Sequence, residues 1–127
     1  MIVLDTSALM AILLDEPEAT ACVEILDRED EFLMSAGTLA EALIVAGRRQ
    51  IGPDMSRLVE DLGVRVVDVT AASARKAAEA YARWGKGVHP ARLNIGDCFA
   101  YALAKERGWP LLFVGGDFSQ TDIVSAL

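Results

Sequence analysis

Histidine and cysteine are scarce in this chain of 127 residues, which has one histidine, His89, and two cysteines, Cys22 and Cys98. A single histidine excludes a zinc site built mainly from imidazole ligands. The cysteines lie within helical patterns and have no CxxC spacing, which indicates buried free thiols in a reducing compartment. We therefore expect a cytoplasmic protein whose chemistry depends on other side chains.

Long apolar runs and basic residues are also lacking. No apolar stretch has the length needed to cross a bilayer, and Asp5 interrupts an N-terminus without basic residues, so neither membrane anchor nor signal peptide is expected. The formal net charge of −7 argues against binding nucleic acid through overall charge. Such binding would need a local basic patch or a metal ion that reverses the charge of one site.

Short apolar segments alternate with helical patterns along a chain that is 53% apolar and 24% charged. We expect strands at 2–4, 31–34, 64–69, 111–114 and near 123–124, and helices at 6–14, 18–28, 35–49, 53–62, 71–84 and 95–107. This alternation predicts one α/β domain over residues 1–127, a three-layer α/β/α sandwich around a mainly parallel sheet of four to five strands.

Four acidic residues fall where such a fold has a ligand-binding edge. Asp5 ends the first strand, Asp117 follows the fourth, and Glu41 and Asp97 lie early in helices. Ligands bind outside the carboxyl ends of strands in open α/β sheets, and helical side chains lean toward the helix N-terminus. We therefore expect all four carboxylates at one rim of the sheet.

Each acid also has a local interpretation that requires no site. Asp5 can cap the first helix, and Asp117 can belong to a turn after two glycines. The run from Thr38 to Glu41 matches a capping box, and Asp97 can form another with the residue that begins its helix. Glu41 and Asp97 nevertheless lie in helices that are apolar on nearly every side, and a buried carboxylate needs a partner.

Carboxylates held close together repel one another, so one must bind a proton or a cation must lie between them. Oxygen ligands favour Mg²⁺ or Mn²⁺ over zinc or copper. Such an ion lowers the pKa of a bound water and neutralises charge on a phosphate, which suits phosphoester hydrolysis. Thr6 and Ser7 can hydrogen-bond to a metal-bound water or a phosphate, or can simply cap the first helix.

Four segments resemble the motifs of a known family. IVLDTSA at 2–8, SAGTLAE at 35–41, HPARLNIGDCFAYALA at 89–104 and LLFVGGDF at 111–118 resemble, in order, the motifs of PIN-domain ribonucleases and, within them, the VapC toxins of toxin–antitoxin modules. The resemblance implies a PIN-like fold and a Mg²⁺- or Mn²⁺-dependent endoribonuclease acting on RNA. It also implies inhibition by a cognate VapB-like antitoxin and, commonly, a homodimer.

The resemblance carries Asp5, Glu41 and Asp97 over as metal-site acids. Many members have another acid before the final Asp-Phe of the fourth motif, where this chain has two glycines, so Asp117 is the only fourth acid available. Asn94 also matches the family pattern. We expect it to orient a catalytic acid or a water, or only to cap its helix.

Several side chains near the predicted rim are candidates for contacts with RNA or antitoxin. The basic candidates for phosphate contacts, each alternatively a solvated surface charge, are Arg48, Arg49, Arg83, Lys86 and Arg92. His89 can touch substrate or be an ordinary loop residue, and Trp84 can stack on a base or pack at the edge of the core. The candidates for an antitoxin groove, alternatively core or dimer surface, are Leu9, Ile12, Leu13, Leu43 and Val45.

Three other functions compete with a nuclease. A receiver-type signalling domain needs paired acids after the first strand and a lysine after a late one, whereas Asp5 stands alone and no lysine follows 111–114. A phosphatase with an aspartyl nucleophile would have a second acid at the position of Ser7. A catalytically inactive PIN-like binding module would retain the fold without binding metal, and titration of Mg²⁺ or Mn²⁺ distinguishes it.

Overall fold

The computed structural model describes residues 1–127, in which four parallel strands form a sheet of order β3-β2-β1-β4. In chain order the elements are β1 Ile2–Leu4, α1 Thr6–Leu13, α2 Ala19–Arg28, β2 Phe32–Ser35, α3 Ala36–Arg48, α4 Gly52–Asp61, β3 Arg65–Val67, α5 Ala71–Trp84, α6 Ile95–Arg107 and β4 Leu111–Leu112. A short 3-10 helix, Phe118–Gln120, follows β4.

The sheet has a hydrophobic core on each face because successive side chains of a strand point in opposite directions. On one face, Val3 and Leu33 pack with residues of α5 and α6. On the other face, Leu4 and Met34 pack with residues of α1, α2, α3 and α4. This arrangement confirms the predicted three-layer α/β/α sandwich.

The strands at the two edges of the sheet are shorter than predicted. β3 spans three residues and is largely exposed, and β4 spans two before the chain reaches Gly115 at φ 104°. The short strand expected near 123–124 is present only as a single parallel bridge between Leu111 and Ser125. Few backbone pairs are available at these edges, so the ladders end early.

Helix α3 begins within one residue of its predicted start. Ser35, rather than Thr38, caps α3, because its hydroxyl accepts a hydrogen bond from Gly37 N at 3.1 Å. The alternative interpretation of Thr38 to Glu41 as a capping box is therefore wrong, and Thr38 is buried inside the helix. The chain leaves α3 through Gln50 at φ 62°, and α4 begins at Gly52, one residue before its predicted start.

Both cysteines are free and buried, as the sequence predicts. Cys22 packs in the core between the sheet and the first four helices, and Cys98 in the core beneath α5 and α6. None of the helices has the length and apolar character that crossing a bilayer requires.

Candidate active site

A cleft of about 460 Å³ lies where β1, α1, α3 and α6 meet. Asp5, Glu41 and Asp97 line it together with Thr6 and Ser7. The structure therefore brings three of the four predicted acids into one concave site, although they are separated along the sequence. Parallel strands direct their carboxyl ends to this edge, and the first turns of the neighbouring helices add their side chains to it.

Asp5 has two carboxylate oxygens in different environments. Oδ2 caps α1 by accepting hydrogen bonds from Ser7 N at 3.1 Å and Ser7 Oγ at 2.6 Å. Oδ1 is buried and has no hydrogen-bond partner. Burial raises the pKa of Asp5 to about 6, the Ser7 bonds oppose this rise, and the charge of Glu41 adds to it. Asp5 is thus both a helix cap and a carboxylate with one oxygen unsatisfied.

Asp97 is held by a reciprocal capping box at the start of α6. Asp97 N donates to Asn94 Oδ1 at 2.8 Å, and Asn94 N donates to Asp97 Oδ2 at 2.9 Å. Burial raises the pKa of Asp97 to about 7; the Asn94 bond opposes this, and the charges of Asp5, Glu41 and Asp117 add to it. The expectation that Asn94 is an N-cap is confirmed, and its backbone also fixes one oxygen of Asp97.

Glu41 enters the cleft from α3 and is half-buried. Its Oε1 accepts a hydrogen bond from Thr6 Oγ1 at 2.7 Å, which joins α3 to the first turn of α1. Thr6 thus holds one oxygen of Glu41 as Ser7 holds one oxygen of Asp5. The two hydroxyls fix the acids rather than standing free in the cleft.

Two glycines allow α3 and α6 to approach closely enough to share the cleft. An added Cβ at Gly37 would lie 2.7 Å from the ring of Phe99, and one at Gly96 would lie 2.6 Å from Glu41 Cδ. Since Cβ contacts this short are not tolerated, a side chain at Gly96 would displace the Glu41 carboxylate. Gly96 therefore keeps open the space that Glu41 occupies beside Asp97.

We expect Gly96→Ala to lower any activity that depends on Glu41 in this cleft by about 10- to 100-fold, the range typical of a lost support behind a functional side chain. Its stability should change little, because alanine favours a helix over glycine by about 1 kcal/mol and Glu41 can move aside. Gly47→Ala is the matched control, since a Cβ at this α3 position meets nothing within 4 Å. If the two variants have the same melting temperature and the same activity, this role of Gly96 is contradicted.

Asp117 does not line the cleft. It begins the 3-10 helix after the glycine turn, and it acts on the site only through its charge, which contributes to the raised pKa of Asp97. The chain reaches it through Gly115, whose φ of 104° lies in a region that favours glycine. The fourth predicted acid is therefore near the site but outside its wall.

The donor set of the cleft fits a hard divalent cation. The side chains that could bind such an ion are carboxylates, whose oxygens are the ligands it prefers. Asp5 Oδ1 is buried and has no hydrogen-bond partner. Repulsion between the carboxylates also contributes to the raised pKa values of Asp5 and Asp97. No three acidic, histidine or cysteine side chains stand in a ready ligand geometry. Each acid instead turns one oxygen toward a local donor, and its other oxygen accepts no hydrogen bond from the protein.

Glu16 and Arg49 also line the cleft, and the sequence did not single out Glu16. Glu16 reaches the cleft because Asp15 adopts φ 50° and Glu16 N bonds Ala11 O at 2.9 Å, which folds the chain back at the end of α1. A left-handed aspartate leaves no strong sequence signal. Arg49 is the one basic candidate that the structure places in the wall of the cleft.

Trp84 belongs to the core, which confirms the interpretation that it packs at the edge of the core rather than stacking on a base. It is 9% exposed, and its Nε1 donates to Tyr101 OH at 3.0 Å. Arg83 lies over the indole at 4.5 Å, and His89 packs edge-on against it at 4.7 Å. These three side chains therefore form a cluster at the far end of α5 rather than an RNA surface at the cleft.

The remaining candidates divide between core and surface. Lys86 lines a separate groove between α5 and α6, and Arg48 and Arg92 do not line the acidic cleft. Among the apolar candidates, Leu9 is fully buried in the core, whereas Leu43 is 37% exposed. The half-buried candidates are Ile12, Leu13 and Val45, of which Val45 lines the cleft.

The sequence of this chain is similar to those of a known protein family. The family model for the PIN domain matches residues 2–124. Ribonuclease VapC42 of Mycobacterium tuberculosis is 46% identical over 126 residues, which cover 95% of this chain and 95% of that protein. Ribonuclease VapC30 of the same organism is 43% identical over 126 residues, covering 97% of this chain and 96% of the relative.

A solved structure has the same fold. VapC20 of Mycobacterium tuberculosis, described as a toxin that cleaves the sarcin–ricin loop, gives a TM-score of 0.77 at 22% identity, covering 98% of this chain and 97% of that one. With the sequence matches and the shared arrangement of strands and helices, the chain belongs to the PIN-domain family, among the VapC ribonucleases.

Proposed function

We propose that this chain is a Mg²⁺- or Mn²⁺-dependent endoribonuclease that acts as the toxin of a toxin–antitoxin module and is inhibited by a cognate antitoxin. The observation that carries the proposal is the buried Asp5 Oδ1 without a hydrogen-bond partner, in a cleft shared with Glu41 and Asp97. An unsatisfied buried carboxylate oxygen is costly unless a cation or proton binds it.

Asp5, Glu41 and Asp97 would hold the ion, each with one oxygen already fixed by a neighbour. Ser7 fixes Asp5, Thr6 fixes Glu41 and the Asn94 backbone fixes Asp97, as the residues behind metal ligands commonly do. The bound ion supplies a Lewis acid that lowers the pKa of a water and neutralises charge on the phosphate.

An antitoxin that blocks this site would find apolar surface at its mouth. Met10, Leu14 and Val45 line the cleft beside the acids, and the latter two are half-buried. A structure of VapBC2 from Rickettsia felis bound to a promoter DNA fragment gives a TM-score of 0.70 at 18% identity, covering 98% of this chain and 96% of that one. An apolar antitoxin segment seated on these residues would exclude RNA from the acids.

The homodimer common in the family would cover an apolar groove between α5 and α6. Ala74, Ala78, Tyr81, Ile95 and Phe99 contribute to this groove, and Ile95 is 71% exposed. An apolar surface of this kind is typical of a protein interface. A second copy seated there would leave the acidic cleft accessible, because none of these five residues lines it.

Metal removal tests the proposed activity. EDTA should abolish cleavage of a pool of end-labelled single-stranded RNA oligonucleotides, and excess Mn²⁺ or Mg²⁺ should restore it. Denaturing gels measure the cleavage, and calorimetry of Mn²⁺ binding to the wild type and Asp5→Asn supplies the control. Persistent metal-free cleavage would refute the proposal. Absence of Mn²⁺ binding to either protein would favour the inactive binding module, which Asp117 lying outside the cleft also favours.

A further inference from the structure

Arg49 is the only basic side chain in the wall of the acidic cleft. It lies just beyond the end of α3, on the helix face that also carries Glu41 and Val45, because these residues are spaced four apart. At 1.5 Å per residue, its backbone lies about 12 Å from that of Glu41 along the helix axis. A guanidinium at this distance reaches the entrance of the cleft rather than its floor.

Arg49 has no carboxylate partner, although the cleft around it is acidic. The ion pairs of the protein are Met1 with Glu29, Lys76 with Glu106, and both Arg83 and Lys105 with Asp122. Glu16 and Glu41 also line the cleft, yet neither forms an ion pair with Arg49. Its five N–H donors therefore face solvent at the rim, free to bind an external anion.

The simplest alternative is that Arg49 only offsets the negative end of the α3 dipole. Arg48 provides a direct comparison, since it is also exposed and lies in the last turn of the same helix. A dipole role would apply to both arginines, but only Arg49 lines the cleft. Its position therefore indicates a function that Arg48 does not share.

We propose that Arg49 binds a phosphate of single-stranded RNA next to the scissile one and so sets the position of the strand across the acids. This inference deepens the proposed nuclease function and rests on it. The guanidinium is planar and can donate two parallel hydrogen bonds to one phosphate. In a protein of net charge −7, a cation at the cleft entrance also supplies a local attraction for RNA that the overall charge opposes.

The test compares Arg49→Ala and Arg49→Lys with Arg48→Ala. Each variant is made in an Asp5→Asn background, which should not cleave RNA. Binding of a fluorescein-labelled single-stranded RNA is then followed by anisotropy at about 50 to 300 mM salt, where the affinity depends strongly on the number of phosphate contacts. Arg49→Ala should weaken binding about tenfold and lower the slope of log K against log salt by about 0.7, the value of one single-strand phosphate contact. Arg49→Lys should keep the slope and lose part of the affinity.

Kinetics in Mn²⁺ separate this role from the metal chemistry. Arg49→Ala should raise KM with little change in kcat, because a contact to a phosphate that does not itself react is made in both ground and transition states. Mn²⁺ affinity should remain at or above the wild-type value, since a nearby positive charge is removed. Arg48→Ala should match the wild type in every measurement.

The outcomes also separate failure of this inference from failure of the proposed function. If the wild type cleaves RNA and Arg49→Ala binds it with the affinity and salt slope of Arg48→Ala, the role of Arg49 is refuted. Loss of Mn²⁺ binding in Arg49→Ala would refute it as well, by showing that the arginine supports the metal site. If the wild type does not cleave but Arg49→Ala still weakens RNA binding, the proposed nuclease function fails and the RNA contact stands.

Discussion

Asp5→Asn is expected to abolish RNA cleavage while raising the melting temperature of the metal-free protein above pH 7. The loss of activity should exceed about 100-fold, since removing a residue that merely orients a metal ligand already costs about 10- to 100-fold. The asparagine oxygen can still accept the hydrogen bonds of Ser7 that cap α1. The fold therefore retains this cap when the ligand is lost.

The gain in stability has its origin in the burial of Asp5. Its pKa is raised to about 6, chiefly by burial, so above pH 7 the folded protein carries a charge that its surroundings disfavour. The displacement from an ordinary carboxyl pKa corresponds to at most about 3 kcal/mol, and part of it should be recovered when asparagine removes the charge. Near pH 3 the carboxyl is protonated in both folded and unfolded states, so the difference should vanish.

Thermal unfolding in EDTA at pH 8 and pH 3 measures this effect, and a cleavage assay in Mn²⁺ measures the activity. Asp27→Asn is a suitable control because Asp27 is exposed on α2 and lies outside the cleft. It should leave both quantities unchanged. An Asp5→Asn protein that is less stable than the wild type at pH 8 would show that the charge of Asp5 is satisfied within the protein.

The pH dependence of stability should change sign when metal is added. In the metal-free protein, the raised pKa values of about 6 for Asp5 and about 7 for Asp97 mean that the folded state binds more protons than the unfolded state between about pH 4 and pH 7. Stability therefore falls as pH rises through this range, by up to about 3–4 kcal/mol for each carboxyl. This is opposite to the effect of a carboxylate held in a salt bridge.

A divalent ion should reverse this trend because it binds the deprotonated carboxylates of the folded state. At a free Mn²⁺ concentration 100 times its Kd, binding adds about 2.7 kcal/mol of stability, and the Kd itself tightens as the protons leave. Melting temperatures from pH 4 to pH 8, with EDTA or with Mn²⁺, check the prediction. If melting temperature depends on pH in the same way with EDTA and with Mn²⁺, the prediction is contradicted. In a double variant, Asp5→Asn with Asp97→Asn, melting temperature should depend little on pH in either condition.

The acids of the cleft were predictable because each stands out against its local sequence. Asp5 directly follows an apolar strand, and Glu41 and Asp97 are charges within apolar helices, where burial without a partner is costly. Asn94 was predictable for a second reason, because an asparagine three residues before an acid matches a capping box. Periodicity and the topology of parallel sheets were sufficient to bring these residues together.

The features that the sequence missed or left undecided depend on contacts between distant parts of the chain. Two interpretations of Trp84 were open, and its place in the core is fixed by Tyr101, whose hydroxyl in turn donates to Asp122 Oδ1 at 2.6 Å. No local pattern reveals that chain of hydrogen bonds. Glu16 faces the cleft only because of the left-handed turn at Asp15. Thr38 does not cap α3, because the helix begins earlier and the hydroxyl of Ser35 caps it.

The link between the two ends of the chain has a consequence for synthesis. Asp5 N donates to Leu112 O at 3.0 Å, and Val114 N donates to Ser7 Oγ at 3.0 Å, so segments made first are secured by segments made more than a hundred residues later. Such pairing over long sequence separations forms late in folding. A chain still on the ribosome lacks these two bonds until residue 114 has emerged, so the edge of the sheet that carries Asp5 is completed only near the end of synthesis.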